Sequence, residues 1–289
     1  MGITMQRLRV YATTILGWKG RLLTVYPEDT FLVSFPRSGN TWMRFLISNL
    51  IFTGEPTNFL NIERRMPEIY HNSDWTMRRL PRPRYFKSHE CFDPRYRRLI
   101  YVVRDPRDVA VSFYHHVMKS RWIPDGYSMA MFVERWMEPS FQPEFGNWEE
   151  HVQSWLRMRG DDAGFLLVRY EDLQVRPTEE MARIGKFLGL QRSSDQIARA
   201  VELSNADRMR ALEKKQQKSW VETRRTRLDK PFVRKATVGD WRTALPRESV
   251  ELIESAWGPL MEELGYPLSA KALEDPAQKP ATELSAERR

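Results

Sequence analysis

The segment Ser34-Phe35-Pro36-Arg37-Ser38-Gly39-Asn40-Thr41 narrows the choice of fold more than any other part of the chain. It stands directly behind the apolar run Phe31-Leu32-Val33 and directly ahead of Trp42-Met43-Arg44-Phe45-Leu46-Ile47, so it reads as the turn between a buried strand and an amphipathic helix. A strand ending at Phe35, a flexible Ser38-Gly39 step and a helix starting near Thr41 aim backbone N–H groups and a helix N-terminus at one point. That geometry binds phosphate without a metal. The loop has neither the leading Gly nor the Gly-Lys-Ser/Thr ending of a nucleotide triphosphatase, and no Lys precedes the hydroxyl residue that would hold magnesium. Arg37 supplies a permanent charge instead. A smaller anion suits such a loop better than a metal-bound triphosphate, with an ordinary strand-to-helix turn as the plain alternative.

The same alternation returns along the chain. Apolar runs at 31–35, 98–104 and 165–170 are followed by helical patterns at 41–52, 107–119 and 178–188, and 84–89, Arg-Tyr-Phe-Lys-Ser-His, reads as a further strand. This predicts an α/β fold, a central parallel sheet flanked by helices, with ligands gathering outside the carboxyl ends of the strands. A helical region at 194–218, a basic irregular stretch at 219–240 and a last helix near 246–264 follow. Neither an internal repeat nor a linker divides the chain. Residues 1–28 read as an N-terminal segment, 29–268 as the single domain and 269–289 as a flexible tail.

Charge and cysteine usage bound the partners. The 46 Lys and Arg outnumber the 38 Asp and Glu, for a formal charge of +8 that draws anions toward a cleft. The basic residues are scattered and no RNA-recognition or zinc-finger signature is present, so nucleic acid is not the expected partner. Cys91 is the only cysteine; it excludes an intramolecular disulfide and points to a reducing, cytoplasmic setting. Near the N-terminus, Leu8, Tyr11, Ile15, Trp18 and Leu22 would share a helix face beside Arg7, Arg9, Lys19 and Arg21, suited to docking on the core or to an anionic membrane; docking is the preferred reading. Gln6 replaces the hydroxyl residue that myristoylation at Gly2 requires. No run reaches the ~20 apolar residues of a spanning helix.

Three further constellations carry chemistry. A strand delivers Arg104 to its C-terminal end, Asp105 caps the next helix, Pro106 suits its first position, and Ser112 lies about two turns in. Phe86-Lys87-Ser88-His89-Glu90 puts Lys87 and His89 on one side of a strand, an imidazole to take a proton beside an ammonium to stabilise negative charge. Of the other histidines, His115 and His116 read as helix-surface residues, His71 as a loop residue and His151 as a helix residue. In 231–242, Arg234 and Lys235 lie in a basic loop with weak periodicity that Trp241 pins. Each feature has a bland counterpart: a strand-end arginine paired with a carboxylate, a hydrogen-bonded histidine, a solvated loop.

Taken in order, these elements resemble the sulfotransferase family, particularly its cytosolic type, which uses 3′-phosphoadenosine 5′-phosphosulfate (PAPS) and leaves the bisphosphate PAP. Phe35-Pro36-Arg37-Ser38-Gly39-Asn40-Thr41-Trp42, Val102 through Ser112, and Arg234 through Arg242 are similar to its 5′-phosphosulfate loop, its 3′-phosphate element and its closing loop. The family fold is P-loop nucleotide-hydrolase-like. The resemblance implies that Ser38, Gly39, Asn40 and Thr41 hold the 5′-phosphate, Trp42 and Tyr170 the adenine, and Arg104, Ser112, Arg234 and Lys235 the 3′-phosphate, with Ser204 at another nucleotide position. His89 would be the base, with Lys87 and Arg37 stabilising charge and no metal taking part. Arg37 stands where the cytosolic enzymes usually have Lys, Ala206 where an aromatic ring often stacks on adenine, and Ala236 where the closing loop has Gly. The Ala236 N–H remains available to phosphate only if its φ is negative. The acceptor would be a small hydroxyl or amine compound, and Phe113, Trp122, Tyr127, Phe141, Phe145 and Trp148 could line a pocket for an aromatic or lipophilic alcohol. A homodimer stays open. The rival readings are a magnesium-dependent nucleotide kinase and a polyanion-binding module.

Overall fold

The computed structural model describes residues 23–269; the expected N-terminal helix at 8–22 and the tail from 270 onward lie outside the described residues. Four parallel strands form the sheet: β1 (Thr30–Ser34), β2 (Tyr85–Ser88), β3 (Arg98–Val103) and β4 (Phe165–Arg169), in the order β2-β1-β3-β4. Continuous apolar strands make a parallel sheet covered on both faces. Alternate residues divide accordingly. Phe31, Val33, Leu99, Tyr101 and Val103 enter one core, and Leu32, Ile100 and Val102 the other.

Helices cover both faces. The first core is closed by α4 (Pro106–Lys119), α5 (Met129–Met137), α6 (Trp148–Arg159) and α12 (Arg247–Glu263). The second is closed by α1 (Asn40–Ile51), α2 (Ile62–Arg65), α7 (Tyr170–Val175), α8 (Pro177–Phe187), α9 (Ser194–Glu202) and α10 (Ala206–Gln216). Two short helices, α3 (Asp74–Met77) and α11 (Trp241–Ala244), complete the set among the described residues. The expected helical region at 194–218 is two helices. Its break is at Ser204-Asn205, where the Asn205 side chain accepts from the Arg208 N–H at 2.8 Å and caps α10.

The chain leaves β1 toward β2 on one side and reaches β3 on the other, so the strand order reverses between β1 and β3. Crevices outside such switch points are where open α/β sheets bind ligands. In register, Ser34 of β1 pairs with Val102 of β3, which brings the loops after both strands to the same edge. The stretch 219–240 contains neither helix nor strand yet is anchored: Trp220 is buried, and the Lys119 ammonium donates to the carbonyls of Arg227 and Lys230 at 2.8 and 2.6 Å.

Candidate active site

The loop after β1 turns through two left-handed residues, Arg37 at φ 71° and Gly39 at φ 94°. Glycine is required at the second on two counts. Its φ is unfavourable for other residues, and a Cβ there would sit 2.5 Å from the Tyr170 ring. Beyond it α1 begins with no side-chain cap and no acid in its first turn, so its N-terminal N–H groups and positive dipole end face the cavity. Asn40 donates to the Ser34 hydroxyl at 3.1 Å and steadies the turn.

A cavity of about 420 Å³ opens at this switch point. Of the nucleotide and catalytic residues read from the sequence, all but Ser38 and Ser204 line it. Ser38 is wholly buried, its hydroxyl lacks a hydrogen-bond partner and its N–H donates to the Phe35 carbonyl at 3.3 Å, so it stands behind the cavity wall in this structure. Ser204 lies behind the wall: its hydroxyl donates to the Ala200 carbonyl at 2.8 Å and accepts from Asn49 at 2.9 Å, while its carbonyl accepts from the Trp42 indole at 2.9 Å. Its effect on the cavity passes through Trp42. Trp42 meets Tyr170 edge-on at 5.4 Å, and the Arg104 guanidinium lies over the Tyr170 ring at 4.2 Å.

Arg104 joins the strand edge to the closing loop, for it donates to the Thr237 carbonyl at 3.0 Å and lies 3.6 Å from Asp108. Asp108 in turn accepts from the N–H groups of Gly239 and Trp241, at 2.8 and 3.0 Å. Arg234 and Lys235 both pair with Asp240, the latter at 2.7 Å. Arg210 binds the carbonyls of Arg234 and Lys235 through bonds of 2.8 to 3.0 Å and fixes the loop from α10. Ala236 has φ 56°, so the condition set for its N–H to serve a phosphate, a negative φ, is not met; its carbonyl accepts from Gln174 at 3.2 Å. Arg37 reaches the Ser112 hydroxyl at 3.4 Å and lies over the Phe232 ring at 4.8 Å. Burial lowers its pKa to about 10, with the charges of Arg104 and Arg234 adding and that of Glu222 opposing.

His89 is held in one tautomer. Its Nδ1 lies 2.7 Å from the Ser34 carbonyl, which only accepts, so Nδ1 carries the proton and Nε2 keeps the lone pair. Burial, and then the Lys87 charge, hold the imidazole pKa well below the usual range. Ser34 thus links the loop after β1 to His89. The backbone of His89 is fixed as well: its N–H donates to the Tyr70 hydroxyl at 3.0 Å, and its carbonyl accepts from His151 Nε2 at 3.0 Å. His151, driven to about 4 by burial, is neutral and accepts from the Tyr101 hydroxyl at 2.7 Å. Tyr70 and His151 thus fix the His89 backbone and Tyr101 fixes His151, contacts that sequence patterns did not assign.

Other expectations change. His115 and His116 are cavity residues rather than surface ones, and burial pulls their pKa values down to about 4 and about 3. Ser112, His115, His116 and Lys119 recur at helical spacing on one face of α4, and all line the cavity. Lys87 is buried with its ammonium 3.1 Å from both Glu68 and Glu222. Glu68, His71 and Glu222 offer ligand atoms within 4.8 Å of one another, the spacing of a metal set, but the Lys87 ammonium already sits against both carboxylates. Of the aromatic residues, Phe113, Trp122 and Phe145 line the cavity. Trp148 packs on Trp257 at 5.6 Å, Phe141 on Phe113 at 5.6 Å, and Tyr127 against the first core.

A parallel sheet with cation-lined loops at its switch point, and a single-tautomer imidazole beside them, defines a group-transfer enzyme of the P-loop-like α/β class. The chain belongs to the sulfotransferase family: residues 27–265 match the family's sulfotransferase domain. Human sulfotransferase 2B1 is 29% identical over 252 residues, covering 81% of this chain and 66% of the human protein. Bovine sulfotransferase 1E1 is 26% identical over 231 residues, covering 75% and 77% respectively. Mouse SULT7A1 complexed with PAP superposes with a TM-score of 0.73 at 22% identity, over 91% of this chain and 96% of that one. Retinol dehydratase in complex with androsterone and PAP superposes at 0.72 with 21% identity, over 88% and 85%. No described helix is long and apolar enough to cross a membrane.

Proposed function

We propose that this enzyme moves the sulfuryl group of PAPS to a hydroxyl or amine of a small acceptor by in-line displacement, without a divalent metal. The observation that carries the reading is that one cavity joins an uncapped helix N-terminus, the Arg104–Arg234–Lys235 group and the unprotonated Nε2 of His89. The helix N-terminus suits the 5′-phosphosulfate, and the three cations suit a second phosphate on the same nucleotide. Trp42 and Tyr170, between these groups, offer the adenine an aromatic corner.

In the reaction His89 Nε2 takes the acceptor proton as the acceptor oxygen or nitrogen bonds to sulfur. The bond from sulfur to the bridging phosphate oxygen breaks, and the negative charge left on PAP meets Arg37 and the α1 amides. Arg37 carries more of this work than Lys87, whose ammonium is matched by Glu222 and Glu68. Positioning and electrostatics supply the acceleration. We place the activity in residues 29–268 and in the cytoplasm.

The test is transfer of labelled sulfuryl from PAPS across phenols, sterols, amines and sugars, in buffer containing a chelator. Transfer to at least one class with no dependence on magnesium is expected. Phosphoryl transfer from ATP that stops in chelator would favour the kinase reading instead.

A further inference from the structure

The cavity wall is not apolar beyond the nucleotide groups. Alongside Phe113, Trp122 and Phe145 it carries two carboxylates, Glu68 and Glu222. Glu68 bridges to Lys87 at the open edge of β2, and Glu222 comes from the anchored stretch after α10. Lys87 stands 3.1 Å from each, and the two carboxyl groups have oxygens within 4.8 Å of each other, close enough to share a hydrogen bond once Glu68 is protonated. Glu68 is almost wholly buried, whereas 18% of the Glu222 side chain remains accessible.

The protons divide unevenly. Burial drives Glu68 well above the usual carboxylate range, so it keeps its proton. Burial pushes Glu222 the same way, but Lys87 and the Glu68 hydrogen bond outweigh it and hold Glu222 ionised. An ionised carboxylate accepts about four hydrogen bonds, more than Lys87 and Glu68 provide. An apolar acceptor closing over Glu222 would strip its water and return nothing, whereas a donor group would replace that water.

We propose that Glu222, backed by Glu68 and Lys87, is a specificity-determining residue selecting acceptors that carry a second hydrogen-bond donor, hydroxyl or ammonium, besides the group that is sulfated. The inference rests on the sulfotransferase reading above. Both donors share the chemistry of donating a hydrogen bond to a carboxylate. An ammonium adds charge and favours ionisation of Glu68 as well, so it gains from both acids. An anionic acceptor is repelled.

The test titrates the PAP-loaded full chain by calorimetry with 4-ethylphenol, 4-(2-hydroxyethyl)phenol, tyramine and 3-(4-hydroxyphenyl)propionate, then repeats the series with Glu222→Gln and Glu68→Gln. In the wild type the hydroxyl and ammonium compounds should bind about tenfold more tightly than 4-ethylphenol, with the propionate weakest. In Glu222→Gln that preference should fall to within about threefold. Glu68→Gln, which cannot ionise, should keep the hydroxyl gain and cut the ammonium gain to the share Glu222 supplies, about that of the hydroxyl, and it decides the matter if Glu222→Gln does not fold: loss of the hydroxyl gain there would overturn the proposal. Equal binding of 4-ethylphenol and both donor compounds by the wild type would overturn the proposal, as would an unchanged order in Glu222→Gln. Failure of PAP itself to bind would count against the sulfotransferase reading rather than against Glu222.

Discussion

Gly39→Ala tests the phosphate loop where its geometry is tightest. Alanine must adopt φ 94°, a left-handed conformation that costs about 1–2 kcal/mol. Its Cβ would also meet the Tyr170 ring at 2.5 Å, so the ring must retreat by about 1 Å to reach ordinary contact. The ring is hemmed in by Trp42, by Arg104 above it and by Gln174 donating to its hydroxyl at 2.9 Å, and forced repacking of this kind costs about 1–3 kcal/mol. Together the two effects should destabilise the protein by about 2–5 kcal/mol and lower Tm by about 4–10 °C. Scanning calorimetry of wild type, Gly39→Ala, Tyr170→Ala and the double variant separates the terms. Removing the ring relieves the clash but not the backbone strain, so the double variant should be more stable than additivity predicts by about 1 kcal/mol or more. A Gly39→Ala protein melting within 1 °C of wild type, or strictly additive substitutions, would refute the reasoning.

Three more substitutions address the base and the closing loop. His89→Ala should lower turnover by roughly a hundredfold to ten-thousandfold while PAP still binds. Because burial and Lys87 depress the His89 pKa, the base stays unprotonated as pH falls, and the wild-type rate should hold level from pH 8 to about 6.5 and decline only below it; an acid limb centred above 6.5 would contradict the assignment. Ala236→Gly relieves a left-handed alanine, so Tm should hold or rise where such a change elsewhere costs about 0.5–1 kcal/mol; a clear drop in Tm would show that the turn is not strained. Arg210→Ala frees the carbonyls of Arg234 and Lys235 and should weaken PAP binding roughly tenfold at about 1 kcal/mol of stability, read by calorimetry and melting; unchanged affinity would show that the loop docks without it.

Local signals were legible wherever the chemistry is local. The strands at 30–34, 98–103 and 165–169 lie where apolar runs place them, since a strand covered on both faces cannot hide its composition, and 85–88 falls inside the stretch 84–89 despite its polar end. The phosphate loop and Arg104 follow because strand ends put them there. The Ser112, His115, His116, Lys119 spacing was also on view, yet adjacent histidines in a polar-looking helix read as surface. Glu222 and Lys87 are 135 residues apart, and only the path of the chain after α10 brings them together. The positive φ of Ala236 and the hydrogen bond its carbonyl takes from Gln174, 62 residues away, are likewise announced by no local pattern. Trp148 and Phe145, three residues apart, part company because Trp148 turns into the core and Phe145 toward the cavity.

Calorimetric titration of PAP and of adenosine 5′-monophosphate, both in chelator, into wild type and Arg234→Ala bears most directly on whether one metal-free cavity grips a nucleotide at both ends. Wild type should bind PAP at micromolar concentration and the monophosphate at least tenfold more weakly, and Arg234→Ala should weaken PAP while leaving the monophosphate nearly unchanged. Equal affinities for the two nucleotides in wild type, or PAP binding that needs added magnesium, would contradict the account.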